Sequence, residues 1–248
     1  MSSFEGKTVL ITGAAGGFGT GTARAFAARG AKVILSDLDP VGLTRLAEEL
    51  EVPALAGDVA DPQFHKDLVA FALEQGPTLD IAINNAGIVH APQPLHTISE
   101  DTARRVIEVD LFGVLWAMQA QINQMIHQRS GTIVNVASVA GLNGAPTLGA
   151  YAAAKHGVVG LTKTAAAENA KFGLRINAVC PAFSRTAMVE SVVPNGDQTA
   201  EEKLVRGIPM RRVADVNEIV RGILFAADPE NSFMTGETIT LDGGLSAL

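Results

Sequence analysis

Apolar residues fall along this chain in short runs rich in β-branched side chains: KTVLIT, KVILS, PALAG, LDIAIN, GTIVNVAS, LRINAVC and ETITL. Longer stretches separate them, in which apolar positions recur with helical spacing. Continuous apolar runs suit strands buried on both faces, and strands alternating with helical segments predict a parallel sheet covered on both sides. The expected fold is therefore α/β, a doubly wound parallel sheet of about seven strands in a single domain over residues 1–248. In such a sheet ligands bind at the carboxyl ends of the strands, where Gly13, Asp37, Asp58, Asn85, Ser138 and Pro181 fall. Residues 187–207 stand apart. An apolar start, a Pro-Asn-Gly break and a charged helical half suit a substrate lid, the alternative being a loop that only connects.

Composition narrows the function classes. A chain of 248 residues with 47% hydrophobic content can bury one sizeable core. Its net charge of −7 and lack of any Lys/Arg run argue against a nucleic-acid or anionic-membrane surface. The start MSSFEGK has no apolar signal region, and no stretch approaches the roughly 20 apolar residues that cross a bilayer, so a cytoplasmic protein acting on small molecules is expected. The single Cys180 reads as a packed core thiol. The histidines are scattered, which predicts no metal, and His90 reads as a solvent-facing loop residue.

Three positions carry chemistry. Tyr151 and Lys155 lie one helical turn apart in AYAAAKHG, and Ser138 ends the run GTIVNVAS. A tyrosine hydroxyl has an ordinary pKa of about 10, so proton exchange near neutral pH needs a neighbouring cation. Lys155 at i+4 supplies it. A serine hydroxyl from a strand end could hold the oxygen of the reacting carbonyl or alcohol. Near the N-terminus a strand, a turn containing Gly13, Gly17, Phe18 and Gly19, and a helix follow one another, the arrangement that brings a pyrophosphate to a helix N-terminus. Asp37, at the end of the second strand, can accept from two ribose hydroxyls. It would repel a 2′-phosphate, and Leu38 beside it supplies no cation, so NAD(H) is the expected cofactor.

Together, TGxxxGxG from Thr12 to Gly19, Asn84-Asn85-Ala86-Gly87, the Ser138/Tyr151/Lys155 spacing and the ending Asp242-Gly243-Gly244 resemble the short-chain dehydrogenase/reductase family. The resemblance implies a Rossmann-like fold, with Tyr151 as general acid/base and Lys155 lowering its pKa and holding the nicotinamide ribose. It further implies that Asp58 and Val59 lie against the adenine, that Asn85, Ala86 and Gly87 line the cofactor site, and that Pro181, Phe183 and Thr186 hold the carboxamide. Asp110 stands where the family usually has asparagine, as the fourth catalytic member; either it couples to Lys155, directly or through water, or it faces away or caps a helix kink. Ala182 replaces the usual glycine after Pro181, which predicts an adjusted turn. Ser138, Ala140, Leu142, Asn143, Tyr151, Phe183 and Met188 are expected around a secondary alcohol or ketone substrate. An acyl-carrier-protein reductase, for which Arg129 speaks and Phe172 and Asp37 do not, is the alternative, and a non-catalytic NAD(H) sensor the third reading. A homotetramer, formed through helices around residues 101–129 and 150–172, is expected by family analogy.

Overall fold

In the computed structural model, which describes residues 4–186, 189, 202 and 204–247, the seven apolar runs become strands. They are β1 (Thr8–Thr12), β2 (Lys32–Asp37), β3 (Ala54–Ala56), β4 (Ile81–Asn84), β5 (Gly131–Val136), β6 (Leu174–Pro181) and β7 (Thr238–Leu241). All pairings are parallel, in the order β3-β2-β1-β4-β5-β6-β7. Helices α1 (Gly17–Ala27), α2 (Pro40–Leu50), α3 (Pro62–Gln75), α4 (Glu100–Ile107), α5 (Gly113–Gln128), α6 (Gly149–Asn169) and α7 (Val216–Ala227) connect or flank them. The result is a single Rossmann-like domain.

Alternate side chains of a strand point to opposite faces, and here both faces are covered. Val9, Ile11, Val33 and Leu35 pack with Phe26 of α1, Leu46 of α2 and Ile223 of α7. Leu10 and Ile34, the residues between them, pack with Leu68 of α3, Met118 of α5 and Val158 of α6. Each such side chain contributes about 1.5–3 kcal/mol when fully buried. Helix starts are set locally: Asp39 and Asp61 accept from first-turn N–H groups of α2 and α3, each with proline in the next position. Asp215 and Glu218 form a capping box on α7.

The chain runs from β1 outward to β2 and β3, then returns to place β4 on the other side of β1. That reversal leaves a crevice above the carboxyl ends of β1 and β4. The expected long helix over 101–129 is divided by a π turn, Glu108–Phe112, between α4 and α5. The widened turn carries Val109 and Asp110 into the interior. Strand β5 stops at Val136, two residues before Ser138, because the chain there bends into a short 3₁₀ turn, Val139–Gly141, capped by the Ser138 hydroxyl.

Candidate active site

A groove of about 620 Å³ runs across the carboxyl ends of the strands, lined by Gly13, Gly17 and Phe18, then Asp37, Asp58, Val59, Asn85, Ala86 and Gly87, and at its far end Tyr151, Lys155 and Thr186. Gly13 has φ +64°, and a Cβ there would stand 2.7 Å from the Ala86 Cα. A Cβ on Gly17 would reach within 2.9 Å of Thr186 Cγ2. No side chain caps α1, whose N-cap is Gly16, so its first-turn N–H groups remain free for an anion. Gly19 does not line the groove. A Cβ on it would collide with the Gly13 carbonyl oxygen, so its role is to let α1 settle onto the turn.

Asp37 is oriented by two backbone N–H donors, Ala15 and Asp39, each at 2.9 Å. Asn85 Nδ2 donates to the Thr12 and Gly13 carbonyls at 3.1 and 2.9 Å, fastening the end of β4 to the glycine turn. Asp58 Oδ1 accepts from the Ala60 N–H, while its Oδ2 faces Arg105 at 3.2 Å.

Tyr151 and Lys155 project from the first turns of α6. Lys155 is buried, with Nζ 5.5 Å from the Tyr151 ring centre, 3.1 Å from Asp110 Oδ2 and 3.3 Å from the Val136 carbonyl oxygen. Asp110 is fully buried and its Oδ1 accepts from the Ile88 N–H at 2.8 Å. Its contact with Lys155 is therefore direct, and Asp110 faces the site. Gly87 makes room for this pair: a Cβ on it would stand 3.0 Å from Asp110 Oδ2 and 3.2 Å from Lys155 Nζ. Burial disfavours the lysine's charge most strongly, but the Asp110 carboxylate, with Tyr151 adding to it, brings the net direction above the lysine's ordinary value. For Tyr151, burial pushes the phenol up, Lys155 and a hydrogen bond with Ser138 pull it down, Asp110 pushes it up again, and the net direction is upward. Ser138 Oγ accepts from the Ala140 N–H at 3.1 Å.

A second cavity of about 530 Å³ adjoins the groove, and Tyr151 lies in the wall between them. Ser138, Ala140, Asn143, Pro181 and Phe183 line this second cavity, Phe18 and Thr186 line both, and Val189 and Leu204 also line the second. Leu142 departs from expectation: it packs into the core on the α3/α5/α6 side. Met188 and most of the expected lid at 187–207 lie outside the described residues. Ala182 needs no special conformation, since it is absent from the positive-φ positions and its N–H donates to the Leu241 carbonyl at 3.0 Å.

His90 corrects the sequence reading. It is buried, at 7% exposure, with Nδ1 2.8 Å from the Ala91 carbonyl oxygen. Cys180 is buried as expected, and burial pushes its thiol up to about 11. Among the described residues no cluster of three or more His, Cys, Asp or Glu could hold a metal ion, and no helix is long and apolar enough to cross a membrane.

Two features escaped the sequence reading. Arg105 and Val109 line the groove near Asp58; their i,i+4 spacing across the end of α4 was the available signal. Beneath the site, Asn84 exchanges hydrogen bonds with Gln121 at 2.8 and 3.0 Å and donates to Asn135 at 2.9 Å. Asn135 in turn donates to Thr162. This buried amide network ties β4 and β5 to α5 and α6, fixing the strand ends that carry the site.

A family model described as enoyl-(acyl carrier protein) reductase matches residues 13–246. The chain is 40% identical to a 3-oxoacyl-(acyl-carrier-protein) reductase of Thermotoga maritima over 246 residues, 97% of this chain and 98% of that one. It is 34% identical to a cyclohexanol dehydrogenase of an Acinetobacter strain, covering 99% of this chain and 97% of the relative. Among solved structures, a 3-ketoacyl-(acyl-carrier-protein) reductase of Brucella melitensis complexed with NADH superimposes with a TM-score of 0.92 at 33% identity, over 98% of this chain and 100% of that one.

Proposed function

The chain belongs to the short-chain dehydrogenase/reductase family of oxidoreductases, and from that premise we propose that it interconverts a secondary alcohol and a ketone with NAD(H). The observation that carries this reading is the position of Tyr151, in the one wall shared by a groove shaped for a dinucleotide and a pocket shaped for a small molecule. The glycine cradle, the uncapped α1 N-terminus and the oriented Asp37 carboxylate fit a dinucleotide. Bound there, the nicotinamide supplies the hydride donor or acceptor. Tyr151, Lys155, Ser138 and Asp110 do the rest.

In the reducing direction the ketone carbon receives the hydride and its oxygen receives the Tyr151 proton, leaving a phenolate that the Lys155 ammonium stabilises. Ser138, whose oxygen already accepts from Ala140, keeps its hydroxyl hydrogen for the substrate oxygen or Tyr151. Asp110 holds Lys155 in place and charged. An upward-shifted phenol is protonated at neutral pH, which suits it to donate; oxidation, which needs the phenolate, then calls for alkaline pH. Asp37 and Leu38 favour NAD(H) over its 2′-phosphorylated counterpart.

The 40% identity to an acyl-carrier-protein reductase favours a second reading, with a β-ketoacyl thioester as substrate. Against it, Arg129 stacks over Phe172 at 5.8 Å, beside the amino ends of β5 and β6 and away from the pocket. We further place the enzyme in the cytoplasm as a homotetramer, with exposed Phe112 on the π turn and Phe225 on α7 as subunit contacts and residues 187–207 as a lid. Steady-state rates for a panel of ketones, secondary alcohols and acetoacetyl thioesters, run with each nicotinamide cofactor, test the reading. Ketone turnover with NADH at least tenfold better than with NADPH is expected. Turnover confined to thioesters selects the second reading.

A further inference from the structure

Beyond the groups that hold the reacting oxygen, the described residues of the pocket offer one free side-chain donor. No lysine, arginine, histidine, aspartate or glutamate occurs among the described residues that line it, and its walls are mainly apolar, Val89, Val139, Phe183 and Leu204 among them, around about 530 Å³. Lys155 lines the groove instead and is paired with Asp110. Three of the lining hydroxyls have already committed their hydrogens: Thr147 to the Pro146 carbonyl, Ser184 to that of Ala214 and Thr186 to that of Ser184. Setting aside Ser138 and Tyr151, which hold the reacting oxygen, only the Asn143 amide remains among the described lining residues. Asn143 is exposed on the loop after Ser138, and its amide makes no hydrogen bond among the described residues.

We propose that the substrate is an uncharged, mainly hydrocarbon ketone or alcohol carrying a second neutral oxygen, and that Asn143 selects it by donating to that oxygen. The proposal rests on the oxidoreductase reading above. An anionic group would enter a cavity with no cation among its described lining residues to receive it and would leave its hydration behind, which disfavours carboxylate and phosphate substrates. A neutral carbonyl or hydroxyl placed at the amide exchanges a water hydrogen bond for a protein one, a gain of about fivefold to tenfold in binding.

Three rigid ketones separate the terms, because one ring fixes the distance between the two oxygens: cyclohexanone, cyclohexane-1,4-dione and 4-oxocyclohexanecarboxylate. With NADH, kcat/KM per carbonyl is expected to be about fivefold to tenfold higher for the dione than for cyclohexanone, and at least tenfold lower for the carboxylate. Asn143→Leu is expected to bring the dione-to-cyclohexanone ratio of kcat/KM to about one, the change in the ratio carried by KM. Equal rates for the carboxylate and cyclohexanone overturn the charge argument, and an equal loss for both neutral ketones in Asn143→Leu overturns the selecting role. Calorimetric binding of the same three ketones to the complex with oxidised NAD, which has no hydride to give, ranks them without turnover. Dione-selective binding, lost in Asn143→Leu, with no turnover of any ketone supports the pocket proposal and overturns the oxidoreductase reading; equal binding of the carboxylate overturns the pocket proposal alone.

Discussion

Asp110→Asn removes one buried negative charge and keeps a side chain of nearly the same size, able to accept from the Ile88 N–H as the carboxylate does. The charge lies 3.1 Å from Lys155 Nζ, which lies 5.5 Å from the Tyr151 ring centre, so the carboxylate is no more than about 9 Å from the ring. Coulomb's law between an effective dielectric of about 20 and that of water gives roughly 0.5–2 kcal/mol at that distance. Divided by about 1.4 kcal/mol per pKa unit, this amounts to roughly 0.4–1.4 units. The sign follows from the charge: the carboxylate pushes the phenol up, so its removal lets the phenol ionise at lower pH. Lys155 loses the group that does most to hold it above its ordinary value, so its own pKa moves down as well. In the oxidation direction, where the phenolate is the base, the rise of kcat/KM with pH is expected to move downward by about half a unit to one unit. Profiles recorded on both proteins decide the matter. Superimposable curves, or an upward shift, refute the coupling of Asp110 to proton transfer.

Two further predictions follow from the groove and the core. Arg105→Ala removes a partly exposed cation that faces Asp58, a pair worth at most about 1 kcal/mol, so the NADH Kd is expected to rise about twofold to fivefold with kcat unchanged; a fluorescence titration showing no change in Kd refutes the part given to Arg105. The Cys180 thiol, raised from 9.0 to about 11, stays protonated in the folded protein and is expected to resist thiol reagents at pH 8 until denaturant is added. The unfolded thiol ionises first as pH rises, so stability falls across that same interval, and Cys180→Ala is expected to flatten the fall when unfolding midpoints are measured against pH.

What the sequence made legible was whatever local chemistry decides. Strands covered on both faces are written as unbroken apolar runs, so β1 through β7 could be read directly, and the turn at Gly13 and the acid at Asp37 follow from where those strands end. The i,i+4 spacing likewise placed Tyr151 and Lys155 on one helix face. Tertiary contacts decided the rest. The residues 101–129 read as one helix, whereas a π turn carries Asp110 inward, where it meets Lys155 and the Ile88 N–H across the fold. His90 sits in a loop without periodicity, so nothing local announced its burial. Gly19 belongs to the glycine pattern, yet it serves helix packing, a distinction that depends on how closely α1 approaches the turn. Arg105 entered the groove because α4 crosses above Asp58, a matter of helix placement.

The most direct test of the central claim is Tyr151→Phe, which removes the exchangeable proton and little else. Measured side by side, turnover of a ketone and NADH affinity report separately on the chemistry and on the groove that shares Tyr151 with the pocket. Turnover is expected to fall by at least about a thousandfold with the NADH Kd changed by less than about threefold. Turnover within tenfold of the unaltered protein would contradict it.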